Sequence, residues 1–376
     1  MASLPGYIAA ETKSGSVSRF FKSPLRLSAA LAHRSLSRKR VGLALLITFY
    51  LLSLLGGFIA PYNFRSQSRA TPYLPPMRIH FFDEQGRFHA RPFIYRPQLV
   101  DPLRLSYAEE RVRRYALVFF TRGESYELLG LFTSSRHLAG VEGGDEAPRL
   151  HLLGTDVLGR DLLARVLYGG SISLLIGPLG LLLAYVIGVS LGAIAGYYGG
   201  VTDALLMRAA EVMMSLPSLV LILALRAAFP LSITPRQVAT MMLVIFAVVG
   251  WAEVARLTRG LAAAERRRDY IAAAIVGGSR DSRIIARHIL PNISRPLVTQ
   301  FALSAPAFIL AEIALSFLGV GVQEPLASWG TLLAEAQDIS VLKNYLWMTT
   351  PAVLIFLTAL AFHLLGESGD QAEEQV

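Results

Sequence analysis

Few residues in this chain are of a type and spacing that could do covalent chemistry. Gly188-Val-Ser190-Leu-Gly192 matches G-x-S-x-G, a string that presents a nucleophilic serine on a strand-to-helix elbow beside a histidine and an acid. Here it lies inside an apolar run, where Gly and Ser more often permit close helix packing. The candidate base in a comparable setting is His363, near the end of the last apolar run, so an intramembrane serine protease is a remote reading. A phosphate-binding loop needs G-x-x-x-x-G-K-[ST], and no lysine here follows a glycine. Any ATP must therefore be hydrolysed by another polypeptide. The seven histidines lack zinc-site spacing. No catalytic, cofactor-binding or metal-ligating set emerges.

The ionisable residues in apolar runs carry the next signal, because burying them in a membrane is costly. Glu211 follows Arg208 by three residues and Glu253 precedes Arg256 by three, spacings that allow local ion pairs on one helix face. Both read as helix-positioning devices more readily than as transport sites. Glu312 has no cation within four residues. It either lines a pathway or bonds to a neighbouring helix, and the second reading is the better. Pro217 deletes a backbone hydrogen bond and crowds the preceding turn, so it must kink its helix. Broken helices of this sort commonly line translocation routes.

The elements that position these residues are membrane spans. Of 376 residues, 53% are hydrophobic and 17% charged, and several apolar runs approach the roughly 20 residues that cross a bilayer. The chain reads as a polytopic membrane protein. Its net charge of +9 gathers beside apolar runs, so anionic lipid headgroups and the positive-inside rule explain it without nucleic acid. With no cysteine there is no disulfide or thiolate chemistry.

In order, a basic, Ser-rich segment (1–40) precedes a first span (41–61), apolar from Val41 to Ala60 and closed by Pro61. A polar stretch (62–171) follows, with short strands expected over Phe81–Ile94 and Ala116–Phe120. It ends in an amphipathic helix capped by Thr155 or Asp156, with Leu158, Leu162, Leu163, Val166 and Leu167 on one side. The core (172–365) holds five spans, about Ile172–Gly196, Leu205–Ala228, Val238–Leu257, Pro296–Leu318 and Trp347–Leu365, before an acidic tail (366–376). Six spans put both termini in the cytoplasm. The charge agrees: Arg256–Arg295 is densely basic, while Gly319–Leu346 has one lysine and three acids. The loop 258–294 then lies inside. The 62–171 insertion between the first two spans lies outside.

Within that inner loop, Asp269–Asn292 reads as two short helices broken at Gly277-Gly278. The first offers small residues Ala272, Ala273 and Ala274. The second places Ile285 and Ile289 four apart on one stripe, and Arg283 and Arg287 four apart on another. Pro291 disfavours a helical Leu290 and should stop the second helix there. The segment is either an ordinary basic loop or a platform lying flat under the membrane and docking a soluble partner.

The spacing Ala273-Ala274, Gly278, Leu290-Pro291 resembles the "EAA" coupling loop of ABC-importer permeases, and Arg287–Asn292 (RHILPN) resembles its dipeptide/oligopeptide variant. Further landmarks run in the same order from Gly154-Thr155-Asp156, Gly159-Arg160-Asp161 and Arg165 through Ala195–Gly200, Leu216-Pro217-Ser218 and Gly250-Trp251. Leu310–Gly319, containing Glu312, and Ser328-Trp329-Gly330 complete the series. The Gly154–Arg165 signature is taken as a structural brace. The resemblance implies an all-α polytopic fold with six transmembrane helices, in a bacterial inner membrane. It implies a peptide-class importer subunit paired with a second, homologous permease, two ABC ATPase subunits and an extracytoplasmic solute-binding protein. It assigns ATPase coupling to Tyr270, Ala273, Ala274, Gly278, Arg283, Arg287, Leu290 and Pro291, and pathway or packing roles to Glu211, Pro217 and Glu312. Two positions depart from the pattern: Ala272 stands where the family has Glu, and Ile275 where a basic residue is usual. From another class, an ATP-independent transporter or channel is the alternative.

Overall fold

A computed structural model describes residues 24–128, 132–144, 147–230 and 234–370. The first 23 residues of the basic segment and the last six of the acidic tail fall outside these. Helix α1 (Pro24–Leu54) leads into a short α2 (Gly56–Ile59), the chain breaking at Leu55. The residues expected to form the first span fall on the apolar end of α1 and on α2.

The expectation of an all-α protein is corrected by the next stretch. Strands β1 (His80–Phe82), β2 (Phe88–Asp101), β3 (Ser106–Leu128) and β4 (Phe132–Val141) form an antiparallel meander in the order 1-2-3-4. Its small core pairs Ile94 with Tyr115 across β2 and β3, and Leu117 and Leu150 pack beside them. The two stretches expected to be extended do seed β1–β2 and β3. The strands run far beyond them because most of their residues are solvated: Glu109, Glu110, Arg111, Arg113 and Arg114 satisfy strand geometry without apolar alternation.

The amphipathic helix capped at Thr155 or Asp156 is also corrected. Thr155 Oγ1 accepts from Leu74 N at 2.8 Å, and Asp156 Oδ1 accepts from Leu158 N and Arg160 N. The Thr155 hydroxyl is therefore committed to the Thr71–Leu74 segment, and the Asp156 carboxylate to a turn. Asp161 does the capping instead, accepting from Ala164 N at 2.8 Å, and α3 runs unbroken from Leu162 to Tyr198. What reads in sequence as two elements is one helix.

Helix α3 packs most extensively on α6 (Pro235–Arg266). Glycines make that approach possible: a Cβ at Gly188, Gly192 or Gly196 would meet the carbonyl oxygen of Trp251, Ala255 or Arg259. Two ladders with a four-residue period thus lie backbone to backbone. Between them in sequence, α4 (Gly200–Ser215) and α5 (Ser218–Ala227) are bent by 87° at an extended Leu216-Pro217. Pro217 does more than kink its helix; it separates two.

After α7 (Asp269–Val276) and α8 (Asp281–Ile284), a single π-turn (Ile285–Ile289) passes into α9 (Leu290–Phe317). The expected stop at Pro291 does not occur. Widening to i→i+5, with Leu290 N donating to Ile285 O, tolerates a residue without an N–H and relieves the crowding its ring would cause. Helices α10 (Trp329–Glu335) and α11 (Ile339–Asn344) precede α12 (Thr350–Asp370), which packs on α1 and α9. Among the described residues, four helices are long and apolar enough to cross a membrane: Leu162–Tyr198, Gln237–Arg266, Asp281–Phe317 and Leu346–Gly366. The bent α4–α5 pair makes up to five.

Candidate functional site

The elbow α7–α8 is held against the ends of α3, α6 and α9 by an apolar underside. Ile271, Ile284 and Ile289 are fully buried, in one cluster with Tyr197, Ala262 and Ile293. Polar ties fix its orientation. Tyr197 Oη donates to Asp281 Oδ1 at 2.7 Å, and the Arg266 guanidinium lies 5.2 Å over the Tyr197 ring. Tyr270 Oη donates to Glu265 and accepts from Asn292 Nδ2 at 2.6 Å. Desolvation, together with the Glu265 hydrogen bond, holds the Tyr270 phenol above its ordinary value. The elbow therefore cannot turn without moving the helices it is tied to.

Its other side is open. Val276 is 89% exposed and Ile275 46%, with Ala272, Ala273, Gly277 and Gly278 beside them. Gly278 turns the chain with φ +73°, a left-handed conformation that glycine adopts freely. Arg283 and Arg287 are exposed and form no ion pair among the described residues. Ala274 and Leu290 are half-buried, and Pro291 is exposed. Tyr270, Ala273, Gly278, Arg283 and Arg287 thus share one region, an apolar tip flanked by cations. Such a surface suits a cleft lined by apolar and acidic groups.

The remaining sequence candidates lie elsewhere. Arg208 Nη1 donates to Glu211 Oε2 at 3.0 Å on an exposed face of α4, as its spacing predicts. Glu253 and Arg256 form no such pair; both line a cavity of about 530 Å3 with Met214, Gln300, Ser304 and Phe308. Glu312 is fully buried at the opposite end of α9 and accepts from Ser316 Oγ at 2.8 Å. Ser190 Oγ donates to Val186 O at 2.7 Å, so that hydroxyl serves its own helix.

Two features went unread in sequence. Asp203 receives a two-pronged hydrogen bond from Arg259, the Nε arm at 2.8 Å, tying α4 to α6. At the other end of α3, Arg160 and Arg165 are almost wholly buried and share Asp156, Glu324 and Glu335. The brace expected in the Gly154–Arg165 signature is therefore an ionic cluster. Its second half comes from more than 150 residues downstream, beyond the reach of local spacing. Three carboxylates face two guanidiniums. Burial first, then the charge of Asp156, keeps the Glu335 carboxyl above its ordinary range against the pull of Arg165 and Arg160.

Residues 188–367, from mid-α3 to α12, match the family model described as "Binding-protein-dependent transport system inner membrane component". The chain is 38% identical over 229 residues to the dipeptide transport system permease protein DppC of Haemophilus influenzae, covering 61% of this chain and 74% of the relative. It is 37% identical over 217 residues to the oligopeptide transport system permease protein OppC of the same organism, covering 58% and 68%. The dipeptide transport system permease protein DppC of Bacillus subtilis is 38% identical over 218 residues, covering 58% and 66%. The elbow, α6, α9 and the end of α3 lie within the matched region. With four apolar spans and these relatives, the chain is a multi-pass membrane protein that belongs to the family of inner-membrane components of binding-protein-dependent transport systems.

Proposed function

We propose that this chain is the membrane-spanning permease subunit of an ATP-driven importer for peptides or similar solutes. It forms half of a translocation pathway alongside a second, homologous permease, with the lipid bilayer around both. Counting α1–α2 and the bent α4–α5 pair as spans gives six crossings, with both termini and the α7–α8 elbow in the cytoplasm. The sheet-bearing insertion 62–171 then lies on the outer side, where a solute-binding protein delivers cargo. The domain division is a basic segment (1–40), first span (41–61), insertion, core (172–365) and acidic tail.

The observation that carries this reading is the elbow: an exposed apolar tip with cations beside it and an underside locked to three core helices. An ATPase subunit gripping Tyr270, Ala273, Ala274, Gly278, Arg283, Arg287, Leu290 and Pro291 would pass its motion to α3, α6 and α9. Nucleotide acts by stabilising one arrangement of the spans over another, with no covalent step in this chain. The Glu253–Gln300–Ser304 cavity beside the broken α4–α5 span, near Glu211 and Pro217, is the polar stretch of the route. Glu312 serves packing.

Because the chain has no cysteine, Val276→Cys introduces a single thiol at the tip. A bifunctional thiol reagent should capture a co-expressed ATPase subunit, and the thiol should be labelled from the cytoplasmic side. Labelling from the outer face alone, or uptake by the purified chain in nucleotide-free liposomes, would overturn the proposal.

A further inference from the structure

The β3–β4 hairpin lies against α2 and the first turns of α3. His137, buried on β4, sits in the strap that holds it there: Nδ1 is 2.7 Å from Ala60 O and Nε2 is 2.8 Å from Glu124 O. Tyr126 of β3 fills the space beside Gly57, where an added Cβ would meet its ring and the Tyr168 hydroxyl. The depth of this contact is fixed by α1 and α3, which run antiparallel. Gly56 faces Leu167, Gly170 faces Ser53, and Tyr50 Oη donates to Leu174 O at 2.8 Å. Going back along α1 is therefore going forward into α3, a helix long and apolar enough to cross a membrane. Tyr168 stands about 4.5 Å of helix rise past Arg165 and its ionic cluster, where that crossing begins. The end of the hairpin that reaches Tyr168 is thus level with the membrane surface.

The side chains carried there suit that level. Phe120 and Phe132 are 66% and 67% exposed, and the Phe120 ring lies 6.1 Å from that of Phe58 on α2. Phe120 also has a left-handed backbone, φ +56°, which is uncommon for a bulky residue. Phe132 registers with Leu128 at the last position where the two strands pair. On its α2 side the patch adjoins Leu54 and Leu55, exposed apolar residues at the end of α1. Cations border it. Arg65 lies 5.1 Å over the Phe64 ring, and Phe64 packs on Tyr168 with 4.5 Å between ring centres. Arg65 and Arg136 are exposed and form no ion pair among the described residues. Rings and arginines at the end of an apolar helix are the composition of a bilayer interface, where rings sit among headgroups and guanidiniums meet phosphates. Glu127 is exposed as well, which fits headgroup depth and not the hydrocarbon centre.

We infer that this end of the β3–β4 hairpin is a membrane-contacting element. Phe120 and Phe132 enter the outer-leaflet interface, and Arg65 and Arg136 pair with phospholipid phosphates. The sheet is then anchored to the bilayer itself as well as to α2. The choice of the outer leaflet rests on the outward placement of the insertion proposed above. The contact with lipid rests on the hairpin's position beside α2 and α3 alone.

The test uses the full, cysteine-free chain in nanodiscs of phosphatidylethanolamine and phosphatidylglycerol, with one nitroxide label attached at Phe132→Cys. A second protein carries the label at Phe120→Cys. The reference is Leu103→Cys, a 96% exposed position in the turn at the opposite end of β3. Relaxation of the labels at 132 and 120 should be enhanced several-fold more by oxygen, which concentrates in lipid, than by an aqueous nickel chelate. The label at 103 should show the reverse order. Nickel access at 132 and 120 equal to that at 103 overturns the inference. So does a label shielded from both reagents, because protein would then cover the hairpin. The side is read separately by an impermeant thiol reagent on spheroplasts carrying Leu103→Cys. Labelling there supports the outward placement; labelling only after lysis overturns it, and with it the choice of leaflet, independently of the depth measurement.

Discussion

Tyr197, at the last turn of α3, donates its hydroxyl to the Asp281 carboxylate at 2.7 Å, joining the end of a membrane helix to the start of α8. The bond spans 84 residues of sequence and sits where the elbow meets the bundle. Hydrogen bonds to charged groups contribute about 1.5–3 kcal/mol in partly buried sites. Tyr197→Phe keeps the ring under Arg266 and removes only that tie. Amide hydrogen exchange across Asp281–Ile284 should accelerate several-fold while α3 and α6 stay protected. Equal exchange in both proteins would mean that the apolar underside alone fixes the elbow.

Gly278 gives the second prediction. Its positive φ costs a side-chain-bearing residue about 1–2 kcal/mol, and nothing lies within 4 Å of an added Cβ. Gly278→Ala should therefore report local strain alone, with small loss of uptake. Gly278→Asp adds a carboxylate between Val276 and Arg280, on the surface we propose an ATPase grips. It should insert normally yet hydrolyse ATP without uptake in the assembled complex. Normal uptake by Gly278→Asp would remove this surface from the coupling path.

The glycine ladder of α3 can be tested without any partner. A side chain at Gly192 would collide with Ala255 O and with Thr258 Cβ, groups that cannot move aside without parting α3 from α6. Overpacking of this kind costs about 1–3 kcal/mol. Gly192→Val should lower the melting temperature in micelles by several degrees, whereas Ser190→Ala, two residues away and facing outward, should leave it unchanged. Labelling of Ser190 by a serine-reactive phosphonate would be incompatible with its bond to Val186 O.

How far the sequence could be read follows a physical line. Properties that depend on neighbours a turn away were legible: the helical spans, the break at Gly277-Gly278, the Arg208–Glu211 pair, and the preference for helix packing over chemistry in Gly188–Gly192. Pro217 was recognised as a disruption, though not that it ends α4 outright. Pro291 was misjudged because its cost in an α-helix is real, and a π-turn relieves it. The sheet was under-read because β2 and β3 are solvated enough to carry charge where apolar alternation would mark a strand. Glu324 and Glu335 have no local mark as partners of Arg160 and Arg165; only the folded chain brings them together.

The ionic cluster predicts a pH dependence with a definite sign. Glu335 has its folded pKa raised above the ordinary 4.5, so the folded state holds a proton that the unfolded chain releases. The unfolded state then binds fewer protons, and stability falls as pH rises from 4.5 through the raised value. Thermal melts should show the wild type losing stability as pH rises above the ordinary carboxylate value. Glu335→Gln, which imitates the protonated form, should flatten that slope. An unchanged slope in the variant would remove Glu335 as its source.

Glu312 is the last candidate, and its surroundings decide between pathway and packing. Its carboxyl accepts from Ser316 Oγ, and that same hydroxyl oxygen accepts from Val322 N at 3.0 Å, so α9 holds the chain that doubles back after Gly319. Ser173 on α3 and Ser328 at the cap of α10 are near the carboxyl, whose Oε2 makes no hydrogen bond. Ser173 Oγ in turn accepts from Trp329 N at 3.2 Å. A residue lining an open route would be accessible; Glu312 has no exposed surface. Glu312→Gln keeps the shape and an acceptor, and should retain most stability and complex yield. Glu312→Ala strands the surrounding serines and opens a void, costing about 2–4 kcal/mol, read as lost complex yield before any change in solute selectivity. The reverse order, with full yield and altered selectivity, would return Glu312 to the pathway.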